Sequence, residues 1–149
     1  MKPISRESIR NYFQEVLQKP AVMDVIEKSH NSRKPKLMSD FTPSCIFKDK
    51  ITGYKVKVAG YALGTGSICL ANWILRDSSQ AKAVVRHEVA HLLQHYKYGE
   101  SKPHGKEFTE ALKVVSPKTW RRDKYWHDNP LIINARKECE SNPNKIHLT

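Results

Sequence analysis

The sequence predicts an α+β domain in which helices pack on a small sheet and one long helix sits at the centre. Three observations carry that prediction. Apolar residues recur at helical spacing near the start of the chain and again after residue 104. Between Leu37 and Leu75 the pattern breaks into short apolar runs punctuated by Gly53, Gly60, Gly64 and Gly66, as a small sheet requires. A helix-length segment bounded by Asp77 and Gly99 carries His87-Glu88-Val89-Ala90-His91. At 149 residues the chain is most simply one domain with its own core.

Taken in order, Ser5 is suited to cap a helix from about Arg6 to Gln18, whose apolar positions are Ile9, Tyr12, Phe13, Val16 and Leu17. Pro20 closes it and also suits the first turn of a second, short helix carrying Ala21, Val22, Val25 and Ile26. That helix fades at His30-Asn31-Ser32, and Arg33-Lys34-Pro35-Lys36 follows as a basic loop. Tyr54, Val56 and Val58 alternate with Lys55 and Lys57, a strand with one wet face, and Ser67 to Ala71 form a second strand. Asp77, Ser78 or Ser79 can cap a helix running to about Tyr98, with Gly99 placed to end it. Its apolar positions Ala81, Val85, Val89, Leu92 and Tyr96 lie opposite His87 and His91, so one stripe is expected to be buried and the histidines presented on the other. A further helix starts near His104 or Gly105 and buries Phe108, Ala111, Leu112 and Val115 until Pro117. Beyond Trp126 the signals weaken, which divides the chain into a domain over 1–126 and an extension over 127–149 that is expected to be partly disordered.

An apolar fraction of 39% and a charged fraction of 28% fit a soluble globular protein. No apolar run approaches the roughly 20 residues of a membrane span, and no apolar leader follows Met1, so neither membrane insertion nor secretion is expected. Cys45, Cys69 and Cys139 are dispersed, which argues against a disulfide scaffold and against a cysteine-ligated zinc ribbon. A cytoplasmic setting is the expectation, at the nucleoid or, in a eukaryote, in the nucleus. The net charge of +11 favours a polyanionic partner, with DNA foremost, and nothing in the pattern calls for more than a monomer.

His87 and His91 lie one helical turn apart, about 6 Å along the axis, so both imidazoles can reach one Zn2+. A catalytic zinc site takes three protein ligands and keeps a position open. His104 is the best third ligand because a helix-loop-helix turn can fold it back over the first helix; Glu107 is the fallback. Glu88 is placed to act as general base, taking a proton from the attacking water and passing it to the leaving amine. His95, one turn beyond His91, reads as a surface or supporting histidine, since a straight helix cannot bring three successive turns to one tetrahedral ion. His30, His127 and His147 read as solvent-facing. Together these residues point to a zinc metalloendopeptidase.

Three stretches resemble the SprT-like family, which includes the Spartan-type DNA-protein crosslink proteases. They are Gly66-Ser67-Ile68-Cys69-Leu70, the run Val85-Arg86-His87-Glu88-Val89-Ala90-His91-Leu92-Leu93, and Pro103-His104-Gly105-Lys106-Glu107-Phe108. The resemblance implies metal ligands at His87, His91 and His104 and a catalytic glutamate at Glu88. It also implies a minimal zincin-like fold, helices on a small mixed sheet, with an edge strand over the cleft. Ser67, Ile68, Cys69, Leu70 and Ala71 match that strand, which would hold an extended protein substrate through its backbone; an ordinary core strand is the competing reading, and both can hold since only one edge need be free. The zinc ribbon that follows the protease core in many members has no counterpart in three scattered cysteines.

A substitute for DNA binding is available in Lys118-Thr119-Trp120-Arg121-Arg122-Asp123-Lys124-Tyr125-Trp126. Lys118, Arg121, Arg122 and Lys124 can track phosphates while the aromatics stack on unpaired bases. The competing reading is that Trp120, Tyr125 and Trp126 pack this segment onto the core. Tyr125 or His127 could also stabilise an oxyanion. A non-catalytic module, with zinc only holding helices together to bind DNA or protein, is the alternative to the peptidase.

Overall fold

The computed structural model describes residues 2–29, 35–37, 46–48, 55–57, 60–62, 66–99 and 104–126, with 130, 133, 134 and 137. Along the chain come α1 (Arg6–Leu17), α2 (Pro20–Glu27), β1 (Lys36–Leu37), β2 (Ile46–Lys48), β3 (Lys55–Lys57), β4 (Gly60–Ala62) and β5 (Ser67–Leu70). A 3₁₀ turn over Asn72–Arg76 then leads into α3 (Ser78–Tyr98), α4 (Lys106–Val115) and α5 (Trp120–Lys124). The protein is mostly helical, with a minimal sheet.

Local chemistry sets the helix ends. The Ser5 hydroxyl accepts the Ser8 amide at 3.1 Å to start α1, and the Asp77 carboxylate accepts the Ser79 amide at 3.0 Å to start α3. Pro20 begins α2, where its missing N–H costs no helical hydrogen bond. Gly99 ends α3 at φ 68°, in the left-handed region that glycine enters without a Cβ clash.

The core gathers on α3. Ile9, Phe13 and Val16 of α1, Val22 of α2, and Phe108, Leu112 and Val115 of α4 are buried in one cluster with Val84, Val85, Val89, Leu92 and Leu93. The expected two-faced character of α3 is corrected here. Arg86, His87 and Glu88 are buried together with the apolar stripe, because α4 and α5 close over the face that carries the histidines. A 3.6-residue pattern records which face is apolar, whereas this second face is buried with polar side chains, of which Arg86 and His87 have hydrogen-bond partners.

β5 is the middle strand of a three-stranded sheet ordered β1-β5-β4. β1 pairs with it in parallel at Ser67 and Ile68, and β4 pairs antiparallel from Ile68 to Leu70. Of the two readings of Ser67–Ala71, the core strand is the one observed and the edge strand is corrected: among the described residues β5 is interior, and Ile68, Cys69, Leu70 and Ala71 are buried, as suits a strand covered on both sides. Among the described residues the sheet's edges are β1 and β4. Gly60 opens β4, where an added Cβ would stand 2.8 Å from Val84 Cγ1 and 3.1 Å from the Cys69 carbonyl oxygen. Only glycine lets this strand lie so close to α3. β2 and β3 form a separate antiparallel pair, Phe47 opposite Val56. Tyr54 and Val58, expected at the ends of the second of these strands, lie outside the described residues.

No helix among the described residues is long and apolar enough to cross a membrane. Buried core residues extend from Ile9 to Trp126, whereas most of 127–149, with His127 and His147, lies outside the described residues, as do His30, Cys45 and Cys139.

Candidate metal centre

α3 places His87 and His91 on one face, and the turn before α4 brings His104 over them. Ligand-capable nitrogen atoms of the three lie within 4.8 Å of one another, and no other such cluster occurs among the described residues. His87 Nε2 stands 3.3 Å from His104 Nε2, and the His91 and His104 ring centroids are 4.8 Å apart. Glu107, the fallback ligand, stays outside this cluster, and so does the half-buried His95.

The donor set fits a borderline-soft divalent cation. His87 Nδ1 lies 2.8 Å from the main-chain carbonyl of Asp123. A carbonyl can only accept, so Nδ1 carries the proton and Nε2 presents its lone pair towards His104. Burial, followed by the nearby His87 and His104, pushes the His91 imidazole down to about 3, which keeps it neutral. At 3.3 Å the two Nε2 atoms can share one proton in a hydrogen bond or give their lone pairs to one metal ion, and neutral imidazole is the common zinc ligand.

Phe108 forms the floor of the site. Its fully buried ring stacks on His91 with centroids 4.3 Å apart, meets His87 at 4.9 Å and meets His104 edge-on at 5.1 Å. The spacing of His104 and Phe108 thus has a physical meaning: the α4 ring orients the imidazole delivered by the turn before it. Trp126, only 6% exposed, presents its edge to His87 at 5.7 Å.

Glu88 is 3% exposed on α3, between the two histidines in sequence. Burial, with the Cys69 thiol of β5 adding to it, pushes its carboxyl up to about 8. A divalent cation held by the flanking histidines acts in the opposite direction, favouring the carboxylate.

The basic segment after α4 divides in two. Asp123 is fully buried and takes a bidentate bond from Arg86, Nε to Oδ2 at 2.6 Å and Nη2 to Oδ1 at 2.9 Å. Lys118, Arg121 and Arg122 are exposed and Lys124 half-buried. Lys118 and Arg122 line a cavity of about 510 Å³ together with Lys19 and Tyr12. Lys113 and Arg121 each lie 5.0 Å from the Trp120 ring centroid, occupying ring surface that base stacking would need. Trp126 is core, and Tyr125 is 53% exposed with Lys124 over its ring. For Trp126, packing onto the core is therefore the observed role, while Tyr125 faces solvent.

The description of the SprT-like family matches residues 21–125. This chain belongs to the SprT-like family. The match runs from the first turn of α2 through α5, so the SprT-like portion includes the three histidines, Glu88 and the Arg86–Asp123 pair. α1, which lies before it, contributes Tyr12, whose hydroxyl accepts from Arg86 Nη1 at 2.8 Å. No solved structure matches this SprT-like chain.

Arg86, Asp123 and the floor role of Phe108 are the site features that sequence reasoning missed. Their signals were present: Arg86 adjoins the first histidine, and Asp123 is the lone acid in a basic run.

Proposed function

We propose that the protein is a zinc-dependent endopeptidase. The observation that carries this reading is the convergence of three imidazoles, with the buried Glu88 next to His87 on α3, and with no fourth histidine, cysteine or carboxylate in the cluster among the described residues. A structural zinc site is closed by four protein ligands, whereas a hydrolytic one keeps a position open.

His87, His91 and His104 would hold the ion, which supplies Lewis-acid polarisation of a carbonyl and acidification of water to a pKa of about 7. Glu88 takes a proton from the attacking water and passes it to the amine of the departing half-chain. The surrounding rings of Phe108 and Trp126 exclude bulk water and strengthen these interactions. With β5 interior, the strand offered to an extended substrate is β4, an edge strand among the described residues that Gly60 lets lie against Val84, one turn before Glu88 on α3.

The substrates we propose are proteins associated with nucleic acid. The support is the net charge of +11 and the exposed Lys118, Arg121 and Arg122. DNA binding should weaken steeply with salt; binding that is absent or insensitive to salt would separate the peptidase from any nucleic-acid role.

Glu88→Gln tests the chemistry, because it keeps the side-chain shape and removes the base. Cleavage of a flexible protein should fall by about 10²- to 10⁴-fold while zinc content stays at the wild-type level. Undiminished cleavage would overturn the mechanism. A zinc-loaded wild type that binds DNA or protein yet cleaves nothing, itself included, would establish the non-catalytic module instead.

A further inference from the structure

Asp123 engages two consecutive residues of α3 with two different groups. Its carboxylate grips the Arg86 guanidinium at 2.6 and 2.9 Å, and its main-chain carbonyl receives His87 Nδ1 at 2.8 Å. Thr119 donates its hydroxyl to the same carboxylate at 3.2 Å, and Arg86 is fixed on its other side by the Tyr12 hydroxyl at 2.8 Å. α5 is five residues long, far below the length at which a helix holds itself together, so its position depends on such contacts. Where α5 sits decides where the Asp123 carbonyl points.

We infer that Arg86 and Asp123 are positioning residues for the metal ligand His87. The ion pair fixes α5, the α5 carbonyl fixes the Nδ1–H tautomer and the ring orientation, and the Nε2 lone pair is thereby aimed at His104 and the space shared with His91. A plain structural staple between α3 and α5 would require the ion pair alone. It would not require the same residue's carbonyl to hold the neighbouring histidine. Partners of this kind, behind a metal-bound imidazole, set its basicity and geometry, and their loss weakens metal binding by about 10- to 100-fold.

The inference rests on the metal-site half of the function proposed above and does not depend on peptidase activity. The test uses the full chain, stripped of metal and titrated with Co2+, whose visible bands report ligand geometry. Asp123→Asn retains the shape of the side chain but loses its charge, and Arg86→Lys retains the charge but not the fork. Both should bind Co2+ about 10- to 100-fold more weakly, with altered bands. Val16→Ala supplies the control for general destabilisation, since Val16 is buried in α1 and takes no part in the network. It should lower Tm and leave Co2+ affinity and spectrum unchanged. Thr119→Val removes one supporting bond and should weaken Co2+ binding in the same direction by a smaller factor, which keeps the test readable if Asp123→Asn does not fold.

Wild-type affinity and bands in Asp123→Asn and Arg86→Lys, or in Thr119→Val where those two do not fold, would overturn the assignment. So would an equal loss of affinity in Val16→Ala, or a wild-type protein that binds no Co2+ at the three histidines. A protein that binds Co2+ in this variant-sensitive way but cleaves no substrate would overturn the peptidase reading alone.

Discussion

His87 and His104 meet within 3.3 Å of each other but are held in opposite ways. His87 is 3% exposed, fixed by the Asp123 carbonyl, and walled by Phe108 and Trp126. His104 is exposed, in the turn that precedes α4, with the Phe108 edge against it. One half of the site is built into the core and the other is brought to it by a turn. The difference teaches that a cation bound by the three histidines would meet one ligand already fixed by the core and one exposed to solvent.

The strongest way to sharpen that contrast is to remove each ligand in turn. His87→Ala and His104→Ala should each reduce zinc affinity by more than the roughly 100-fold expected for an outer partner. Only His87→Ala should also lower the Tm of the metal-free protein, because it leaves the buried Asp123 carbonyl without its donor. Equal Tm losses from the two, followed by differential scanning calorimetry, would break the comparison.

Phe108 joins the two halves. Phe108→Ala should cost about 3–5 kcal/mol in chemical denaturation, whereas Phe108→Leu should recover much of the stability without restoring the stacked orientation of His91. A Leu variant with wild-type zinc affinity would show that volume alone supports the ligands. Gly60→Ala probes β4, the strand proposed to hold substrate: the new methyl meets Val84 and the Cys69 carbonyl, so a loss of about 1–3 kcal/mol is expected, together with weaker peptide binding. Unchanged stability would mean that β4 can move away from α3 freely.

The smallest effect is a gradual one with acid. Burial works to raise the Asp123 carboxyl, but the Arg86 hydrogen bonds and charge outweigh it and hold the carboxyl below its ordinary value of 3.8. A depressed folded-state pKa contributes stability above the unfolded value and loses it as pH falls through the folded one. Thermal scans of the metal-free protein should therefore show a Tm decline that steepens below about pH 4, and Asp123→Asn should remove part of that slope. A variant with the wild-type slope would show that the pair contributes nothing to acid sensitivity.

Much of this architecture was legible in the sequence because its signals are local. Ser5, Pro20, Asp77 and Gly99 mark helix ends through their own backbone chemistry, and the pattern over α4 named Phe108, Ala111, Leu112 and Val115, all of them buried. The three histidines were legible from spacing and from the turn that separates His104 from α3. What escaped was set by tertiary contact. Whether β5 is an edge depends on where the two-residue β1 lands, and nothing within Ser67–Ala71 encodes that. The burial of the Arg86 face depends on α5, a helix too short to leave a periodic signal, in a segment whose basic charge suggested nucleic acid before packing. Asp123 entered that reading as one negative charge, and the fold gives it two partners on α3.

The aromatic floor has a consequence for which ion the protein accepts. A cation held by the three imidazoles would meet nitrogen donors, with the Phe108 ring stacked behind the His91 imidazole as an apolar surface. Mg2+ and Ca2+ seek oxygen ligands, and Mg2+ gives up its waters reluctantly, so each would have to exchange favoured hydration for a nitrogen-lined niche. Zinc and its borderline-soft neighbours lose little in the same exchange. By backing the His91 imidazole with an apolar ring and offering no oxygen donor, Phe108 would favour an ion that accepts nitrogen ligands without touching it.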